Sequence, residues 1–234
     1  MADPDRFYID KAGFRVYNKS RGVEISLKGG RALNRIITIG REFGSGGREL
    51  GKRLADHLGI AYYDREILEE LSKRTKLDEG YLHRVAEQRN SLILPITVGR
   101  TLHHTAGSDY LVRQYTAVYA EQANILRELA EASDCIIVGR CADYILKEFK
   151  PVRLFVYADM DAKVERCRQR AEAGEGLSER EMKNMIRKVD RNRARYYSYY
   201  TGQTWGERGN YDLCVNTTGI PVKALAESLA HLFS

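Results

Sequence analysis

Apolar residues in this chain form short runs separated by stretches of helical spacing, and the two patterns alternate from residue 35 onward. The runs are nearly continuous, which is typical of strands that are covered on both faces of a parallel sheet. They span residues 36–39, 60–63, 135–138, 152–158 and 211–215. The pattern therefore predicts a five-stranded parallel sheet with helices on both faces, a doubly wound α/β fold.

Two of the intervening helices carry recognisable end signals. Leu50, Leu54 and Leu58 recur every four residues, and Gly59 follows them at a position suited to ending a helix. Further on, Ser178 and the glutamate three residues later form a capping-box signature. This signature predicts a helix that begins near residue 179 and continues to about residue 200.

The sequence outside the alternating pattern predicts additional parts. Residues 1–34 contain three short β-prone pieces separated by turn residues, which predicts a small N-terminal β-hairpin arm and linker. The main domain then covers 35–234. Residues of about 78–133 contain no obvious strand, and 111–132 have the pattern of a long helix, so we expect a helical insertion between the second and third strands.

Composition and charge narrow the class of protein. The chain is 43% hydrophobic and 30% charged, as in ordinary globular proteins, and its net charge of +6 favours anionic partners such as nucleotides or nucleic acid. No apolar run reaches the roughly 20 residues that a membrane helix needs. Cys135, Cys141, Cys167 and Cys214 form no CxxC pair. Reduced thiols, a cytoplasmic location and no cysteine metal site are therefore expected.

A glycine-dense turn follows the first predicted strand of the main domain. Glycines there allow main-chain N–H groups to point inward, and the N-terminus of the next helix adds partial positive charge, so the turn is suited to binding phosphate. The standard phosphate loop ends in Gly-Lys-Ser/Thr, but Gly47 stands at the lysine position and Arg48 at the hydroxyl position. Arg41, Arg48 or Lys52 could supply the missing charge. A connection that only allows close packing is the alternative.

Arginines recur at positions where an anion could bind. Arg140 follows a buried strand directly, and ligands of open α/β sheets bind at such strand ends. Arg166 and Arg170 share one helical face, and a later helix carries Arg191 and Arg195 on another. Together they form a candidate anion clamp, whereas each one alone is equally compatible with a solvated helix face.

Several of these segments together resemble one family. The segments 40–51, 62–66, 138–140, 154–158, 190–197 and 210–217 are similar, in the same order, to the cytidylate kinase-like family. The resemblance covers almost all of the chain from residue 35 to 233. That family carries Gly-Gly where true cytidylate kinases have Gly-Lys, so Gly46-Gly47 is a feature that this chain shares with it.

The resemblance implies a P-loop kinase core with three α/β/α layers, an acceptor-binding helical insertion and an arginine-bearing lid at about 166–195. It also implies site residues. Five residues would bind the ATP phosphates, namely Gly44, Ser45, Gly46, Gly47 and Arg48. The catalytic arginines would come from Arg140, Arg166, Arg170, Arg191 and Arg195. The acceptor would contact Asp64, Arg140 and Asp190. One departure is that cytidylate kinases often carry aspartate directly after the arginine, where this chain has Cys141 and then Asp143 two positions later.

The function implied is phosphoryl transfer from ATP to a nucleoside monophosphate, with CMP or dCMP as the expected acceptor. Mg²⁺ would enter with ATP, and no dedicated metal site is predicted. The sequence leaves the oligomeric state undecided, with a homo-oligomer as one option. Neither a membrane nor a nucleic acid is expected as a partner. The first alternative is a catalytically inactive nucleotide sensor, which the missing lysine favours. The second is a nucleic-acid-binding protein that uses the tyrosines and arginines of 193–200.

Overall fold

The computed structural model describes residues 34–82, 106–170 and 177–233, together with three short strands within the first 33 residues. These strands are β1 (Phe7–Ile9), β2 (Arg15–Asn18) and β3 (Val23–Ser26). They form an antiparallel sheet in the order β1-β2-β3. The boundary between an N-terminal arm and the main domain at residue 34 stays a prediction.

The main sheet has five parallel strands, as the apolar runs predicted. The strands are β4 (Ile36–Arg41), β5 (Ala61–Tyr63), β6 (Cys135–Val138), β7 (Val152–Tyr157) and β8 (Leu213–Asn216). Their order in the sheet is β5-β6-β4-β7-β8. The α/β fold class with a five-stranded parallel sheet is therefore confirmed.

Helices connect these strands and cover the sheet. They are α1 (Gly47–Leu58), α2 (Glu66–Thr75), α3 (Ala106–Ala132), α4 (Ala142–Ile145), α5 (Met160–Arg170), α6 (Glu179–Thr201) and α7 (Val222–Phe233). Short 3₁₀ helices occupy Lys147–Phe149 and Arg208–Asn210. Within the described residues, no helix is long and apolar enough to span a membrane.

Both predicted helix-end signals are confirmed. Gly59 has a left-handed φ of 64° and donates its N–H to the carbonyl of Ala55, which ends α1. At the start of α6, the Ser178 side chain accepts from the N–H of Glu181, and the Glu181 carboxylate accepts from the N–H of Ser178.

Alternate residues of the central strand face two separate cores. Ile37 and Ile39 pack with Leu54 of α1 and with residues of α7, on one side of the sheet. Ile36 belongs to the other core, with residues of α2 and α3 such as Leu71. Complete burial of one such side chain contributes about 1.5–3 kcal/mol to folding. The two cores hold β4 rigidly at the centre of a three-layer structure.

This arrangement positions the site. The carboxyl ends of β4, β5 and β6 meet at one edge of the sheet, and parallel sheets bind ligands at that edge. The segments that follow these strands are 42–46, 64–65 and 139–141. Parts of the predicted helical insertion (83–105) and of the predicted lid (171–176) lie outside the described residues.

Candidate functional site

The turn that is predicted to bind phosphate, here called the phosphate loop, comprises residues 41–46, beginning at the last residue of β4 and leading into α1. It requires glycine at two positions. Gly44 and Gly46 have left-handed φ angles of 75° and 82°. A Cβ on Gly44 would lie 2.9 Å from the carbonyl oxygen of Lys163, and one on Gly46 would lie 2.9 Å from a methyl group of Val222. Both backbone strain and close packing therefore exclude side chains at these positions.

The Ser45 hydroxyl stabilises the loop itself. Its Oγ donates to the carbonyl oxygen of Glu42 at 2.9 Å and accepts from the N–H of Gly47 at 3.4 Å. The Ser45 carbonyl accepts from the hydroxyl of Thr217 at 2.7 Å, so the buried serine is tied to the end of β8. These bonds give the loop a defined shape.

The loop contains no set of side chains that is suited to binding magnesium. Arg48 occupies the position where a standard loop carries its metal-binding hydroxyl, and the Ser45 hydroxyl is engaged with the loop backbone. Within the described residues, no group of three or more His, Cys, Asp and Glu side chains could hold a metal ion. The residues present therefore do not fit a metal bound by the protein alone.

Asp64 binds two arginines of the phosphate-loop region. Its carboxylate lies 2.5 Å from Nε of Arg48 and 3.7 Å from a guanidinium nitrogen of Arg41. Asp64 is buried and the Arg41 side chain is 11% exposed, whereas the Arg48 side chain is half exposed. The sequence indicated Asp64 as an acceptor contact, and the structure places it beside the loop cations.

Arg166 and Arg170 of α5 also lie beside the loop and the start of α1. Arg166 donates to the carbonyl of Thr217 and approaches the carbonyls of Gly44 and Ser45 at 3.5 Å. Burial, and then the charge of Arg170, lower the pKa of Arg166. Arg170 itself pairs with Glu49 of α1 at 2.5 Å. Two guanidiniums therefore lie close to the start of α1.

A buried lysine connects the loop to helices α5 and α6. The ammonium of Lys163, which is 5% exposed, lies 2.9 Å from a carboxylate oxygen of Glu42 and 3.2 Å from one of Asp190. Asp190 also accepts from the N–H of Phe43 at 2.7 Å. Burial raises the pKa of Asp190, while the Phe43 N–H and the Lys163 charge act in the opposite direction. This cluster joins three elements through one charged network.

Arg193 of α6 also contacts the loop. Its guanidinium donates to the carbonyl oxygen of Arg41 at 3.3 Å and lies 5.7 Å from the centre of the Phe43 ring. Between α1, α5 and α6 is a cavity of about 400 Å³. Its lining includes Arg41, Phe43, Gly44, Gly46, Gly47, Arg48, Arg166, Arg170, Met182, Met185 and Arg193. The cavity lining thus combines loop glycines, arginines from several elements and two methionines of α6.

The predicted arginines Arg191 and Arg195 occupy a different face of α6. Both are exposed, and among the described residues α6 contributes Met182, Met185 and Arg193 to the cavity. Tyr196 and Tyr197, which sequence reasoning considered for base stacking, are buried. These two rings are therefore not available to a nucleic acid.

The end of β6 has an unusual backbone. Gly139, Arg140 and Cys141 have consecutive positive φ angles of 77°, 61° and 54°. Non-glycine residues occupy this region rarely and at an energetic cost, and such residues cluster at functional sites. The Arg140 carbonyl accepts from Gln122 of α3 at 3.1 Å, which helps to hold the turn.

A second, smaller pocket of about 40 Å³ lies beside this turn. Arg41, Arg140 and Arg193 line it together with Asp143. The Asp143 carboxylate accepts from the Tyr197 hydroxyl at 2.6 Å, and burial raises the pKa of Asp143. The pocket places three guanidiniums within reach of one location at the edge of the sheet.

The structure brings most of the predicted site residues together. Gly44, Gly46, Gly47 and Arg48 line the larger cavity with Arg166 and Arg170, whereas Ser45 is fully buried and does not line it. Arg140 lines the smaller pocket, and Asp64 and Asp190 contact the loop region. Sequence reasoning missed Arg193 and Lys163. A signal for Arg193 existed, because it lies four residues after Val189 on the apolar stripe of α6. No comparable signal marked Lys163.

Comparison with known proteins gives consistent matches. The model of the cytidylate kinase-like family matches residues 36–219. A cytidylate kinase from Methanopyrus kandleri is 23% identical over 197 residues, which cover 80% of this chain and 86% of that protein. A cytidylate kinase from Herpetosiphon aurantiacus is 24% identical over 179 residues, covering 66% and 78%. The crystal structure of an uncharacterized protein from Eubacterium ventriosum aligns with a TM-score of 0.61 at 27% identity, covering 85% of this chain and 98% of that one.

Proposed function

Because the chain belongs to the cytidylate kinase-like family, we propose that it transfers the γ-phosphoryl group of ATP to a nucleoside monophosphate, with CMP or dCMP as the acceptor. The observation that carries this proposal is the 400 Å³ cavity between the phosphate loop and helices α5 and α6. Glycines at the start of α1 and five arginines line it, together with apolar residues of α6. This combination is suited to a polyphosphate.

In the reaction, an oxygen of the acceptor phosphate forms a bond to the γ-phosphorus as the bond from that phosphorus to the β–γ bridging oxygen breaks. The electron pair remains on the departing ADP, and the products are ADP and a nucleoside diphosphate. Such transfer depends on positioning and on stabilisation of spreading negative charge. Arg166 and Arg170 approach the ATP phosphates from α5, and Arg193 does so from α6.

Arg140 is the residue that we assign to the acceptor side. It lies at the end of β6, in the pocket that also contains Arg41 and Arg193, so a phosphate there would lie between donor and acceptor positions. Asp64 pairs with Arg48, and Asp190 accepts from the N–H of Phe43. An acceptor that bound to either carboxylate would therefore share it with the existing partner. Mg²⁺ bound to ATP would neutralise part of the phosphate charge, and no residue of this chain is assigned to hold it.

A non-catalytic nucleotide sensor is the second candidate, and Gly47 at the lysine position favours it. Both candidates require ATP binding, but only the kinase forms product. The cytosine acceptor is supported by the similarity to the two cytidylate kinases. A single assay therefore separates the two functions and identifies the acceptor.

The test is to incubate the protein with ATP, Mg²⁺ and one of CMP, dCMP, UMP, AMP or GMP, and to separate the nucleotides by chromatography. We expect CDP or dCDP in amounts equal to the ADP formed. Arg140→Ala should lower kcat/KM more than about tenfold, a loss above about 1.4 kcal/mol. ATP binding without product on any acceptor would support the sensor instead. ADP without a phosphorylated acceptor would indicate ATP hydrolysis only.

A further inference from the structure

The phosphate loop of this chain departs from the standard pattern at two positions rather than one. In the pattern G-x-x-x-x-G-K-[ST], the lysine position corresponds to Gly47 and the first glycine to Arg41. Compared with the standard pattern, this chain therefore lacks a basic side chain at position 47 and has an additional one at position 41. The structure gives a physical connection between the two changes.

Side chains at positions 41 and 47 compete for the same space. A Cβ placed on Gly47 would lie 2.6 Å from Cβ of Arg41 and 3.2 Å from its Cγ. The first distance is far below ordinary van der Waals contact, and both Arg41 atoms are close to the backbone, where a side chain cannot move away easily. In this backbone, position 47 therefore has to be glycine as long as residue 41 carries a Cβ.

The other end of Arg41 lies against a second glycine, Gly139, whose φ of 77° itself favours glycine. A Cβ on Gly139 would lie 1.8 Å from a guanidinium nitrogen of Arg41, so the guanidinium packs directly against the turn at the end of β6. Arg41 consequently reaches from the loop to the strand end that carries Arg140. It lines both the larger cavity and the smaller pocket.

Arg41 is more suitably placed than the other candidate cations. Its side chain is 11% exposed, compared with 50% for Arg48 and 59% for Lys52. Arg48 makes the shorter contact with Asp64, and Lys52 pairs with Asp56 on the outer face of α1. A partly desolvated guanidinium interacts with phosphate more strongly than an exposed one, because the surrounding dielectric is lower.

We propose that Arg41 takes over the role of the missing lysine, reaching the β- and γ-phosphates of ATP from the first position of the loop. Gly47 and Gly139 are the positions that make room for it. This inference rests on the proposed function, since it requires that the loop binds ATP. It names the cation that completes the phosphate site.

The first experiment measures binding of a non-hydrolysable ATP analogue and of ADP by isothermal titration calorimetry. We expect Arg41→Gln to weaken both affinities at least tenfold and Arg41→Lys to retain affinity within about threefold of the original chain. Arg127→Ala, which removes an exposed arginine of α3, is the matched control and should bind as the original chain does. Thermal melting of each variant identifies any that fails to fold.

The second experiment exchanges the two side chains. Gly47→Lys alone should lose binding at least tenfold, because the new side chain collides with Arg41. The double variant Arg41→Gly with Gly47→Lys removes the collision and should recover affinity to within about threefold of the original chain. Recovery of this kind is not expected if Arg41 has only a structural role, since the double variant would then be worse than either single one.

The outcomes are distinguishable. If the original chain binds ATP but Arg41→Gln binds equally well, the role of Arg41 is wrong and the proposed function stands. The role is also wrong if Gly47→Lys alone binds as well as the double variant. If the original chain binds no ATP analogue or ADP, the proposed function fails, and the role of Arg41 fails with it.

Discussion

The backbone N–H of Phe43 donates to a carboxylate oxygen of Asp190 at 2.7 Å, and this bond ties the phosphate loop directly to helix α6. The second carboxylate oxygen of Asp190 lies 3.2 Å from the buried ammonium of Lys163. One side chain of the predicted lid therefore contacts both the backbone of the loop and the buried ammonium of Lys163.

Replacing Asp190 should consequently destabilise the fold as well as the site. Asp190→Ala leaves the buried Lys163 with Glu42 as its remaining carboxylate in the described network, and we expect the free energy of unfolding to fall by about 2–3 kcal/mol. Urea unfolding measures this change. Asp161→Ala is the control, because Asp161 also pairs with a lysine but is highly exposed, and it should have little effect. Equal effects of the two replacements would contradict the role of the network.

Arg193 and Arg195 provide a comparison within a single helix. Arg193 contacts the loop backbone and lines both cavities, whereas Arg195 is exposed. We expect Arg193→Ala to lower kcat/KM for the nucleoside monophosphate kinase reaction at least fivefold more than Arg195→Ala does. Steady-state kinetics measures both variants under the same conditions. A larger loss for Arg195→Ala would indicate that the catalytic arginine of α6 lies on its exposed face, as the sequence pattern predicted.

The glycine at position 46 should matter for two separable reasons. Gly46→Val introduces a side chain at a φ of 82° and places its Cβ close to Val222, so ATP binding should be abolished. Gly59→Ala is the matched control, since Gly59 has a similar φ of 64° but open space around it. The control should show only the backbone cost of about 1–2 kcal/mol, with ATP affinity retained. ATP binding by Gly46→Val would mean that the loop does not bind the phosphates.

Alkaline pH should destabilise the protein through its buried tyrosines. Burial, and then the charge of Asp64, raise the pKa of Tyr62 to about 12, and burial also raises the pKa values of Tyr119, Tyr196, Tyr197 and Tyr211. Because an unfolded tyrosine ionises near pH 10, the stabilising contribution is complete below pH 10 and is lost as the pH rises toward 12.

The measurement is the urea midpoint between pH 8 and pH 11.5, with tyrosine ionisation followed by absorbance. Tyr62→Phe removes one of these groups, so its midpoint should fall less steeply with pH than that of the original chain. Parallel curves for the two proteins would show that Tyr62 ionises at similar pH values in the folded and unfolded states.

The sequence was sufficient to predict the sheet and several helix ends. Near-continuous apolar runs of strand length are characteristic of strands that helices cover on both faces of a sheet. Gly59 and Ser178 act through local backbone geometry that a sequence pattern records directly. The contact of Arg193 with the loop was not predicted, because the mutual spacing that selected Arg191 and Arg195 does not indicate which face of the helix meets the loop.

The relationship of Arg41 to Gly47 and Gly139 could not be predicted in the same way. Gly47 lies against Cβ and Cγ of Arg41, whereas Gly139 lies against its guanidinium, and this second contact exists only when β4 and β6 are paired. The same holds for Lys163, since burial of its ammonium between Glu42 and Asp190 depends on how α5 and α6 meet the loop.

In the structure, cations around the phosphate loop already lie beside carboxylates, as Arg48 does with Asp64, Lys163 with Glu42 and Arg170 with Glu49. A nucleotide that binds there has to compete with these internal anions, so its entry is an exchange of one anion for another. Weakly charged anions gain little from such an exchange, whereas a triphosphate engages several cations at once. We therefore expect the carboxylates beside these cations to favour a triphosphate over small anions at the site.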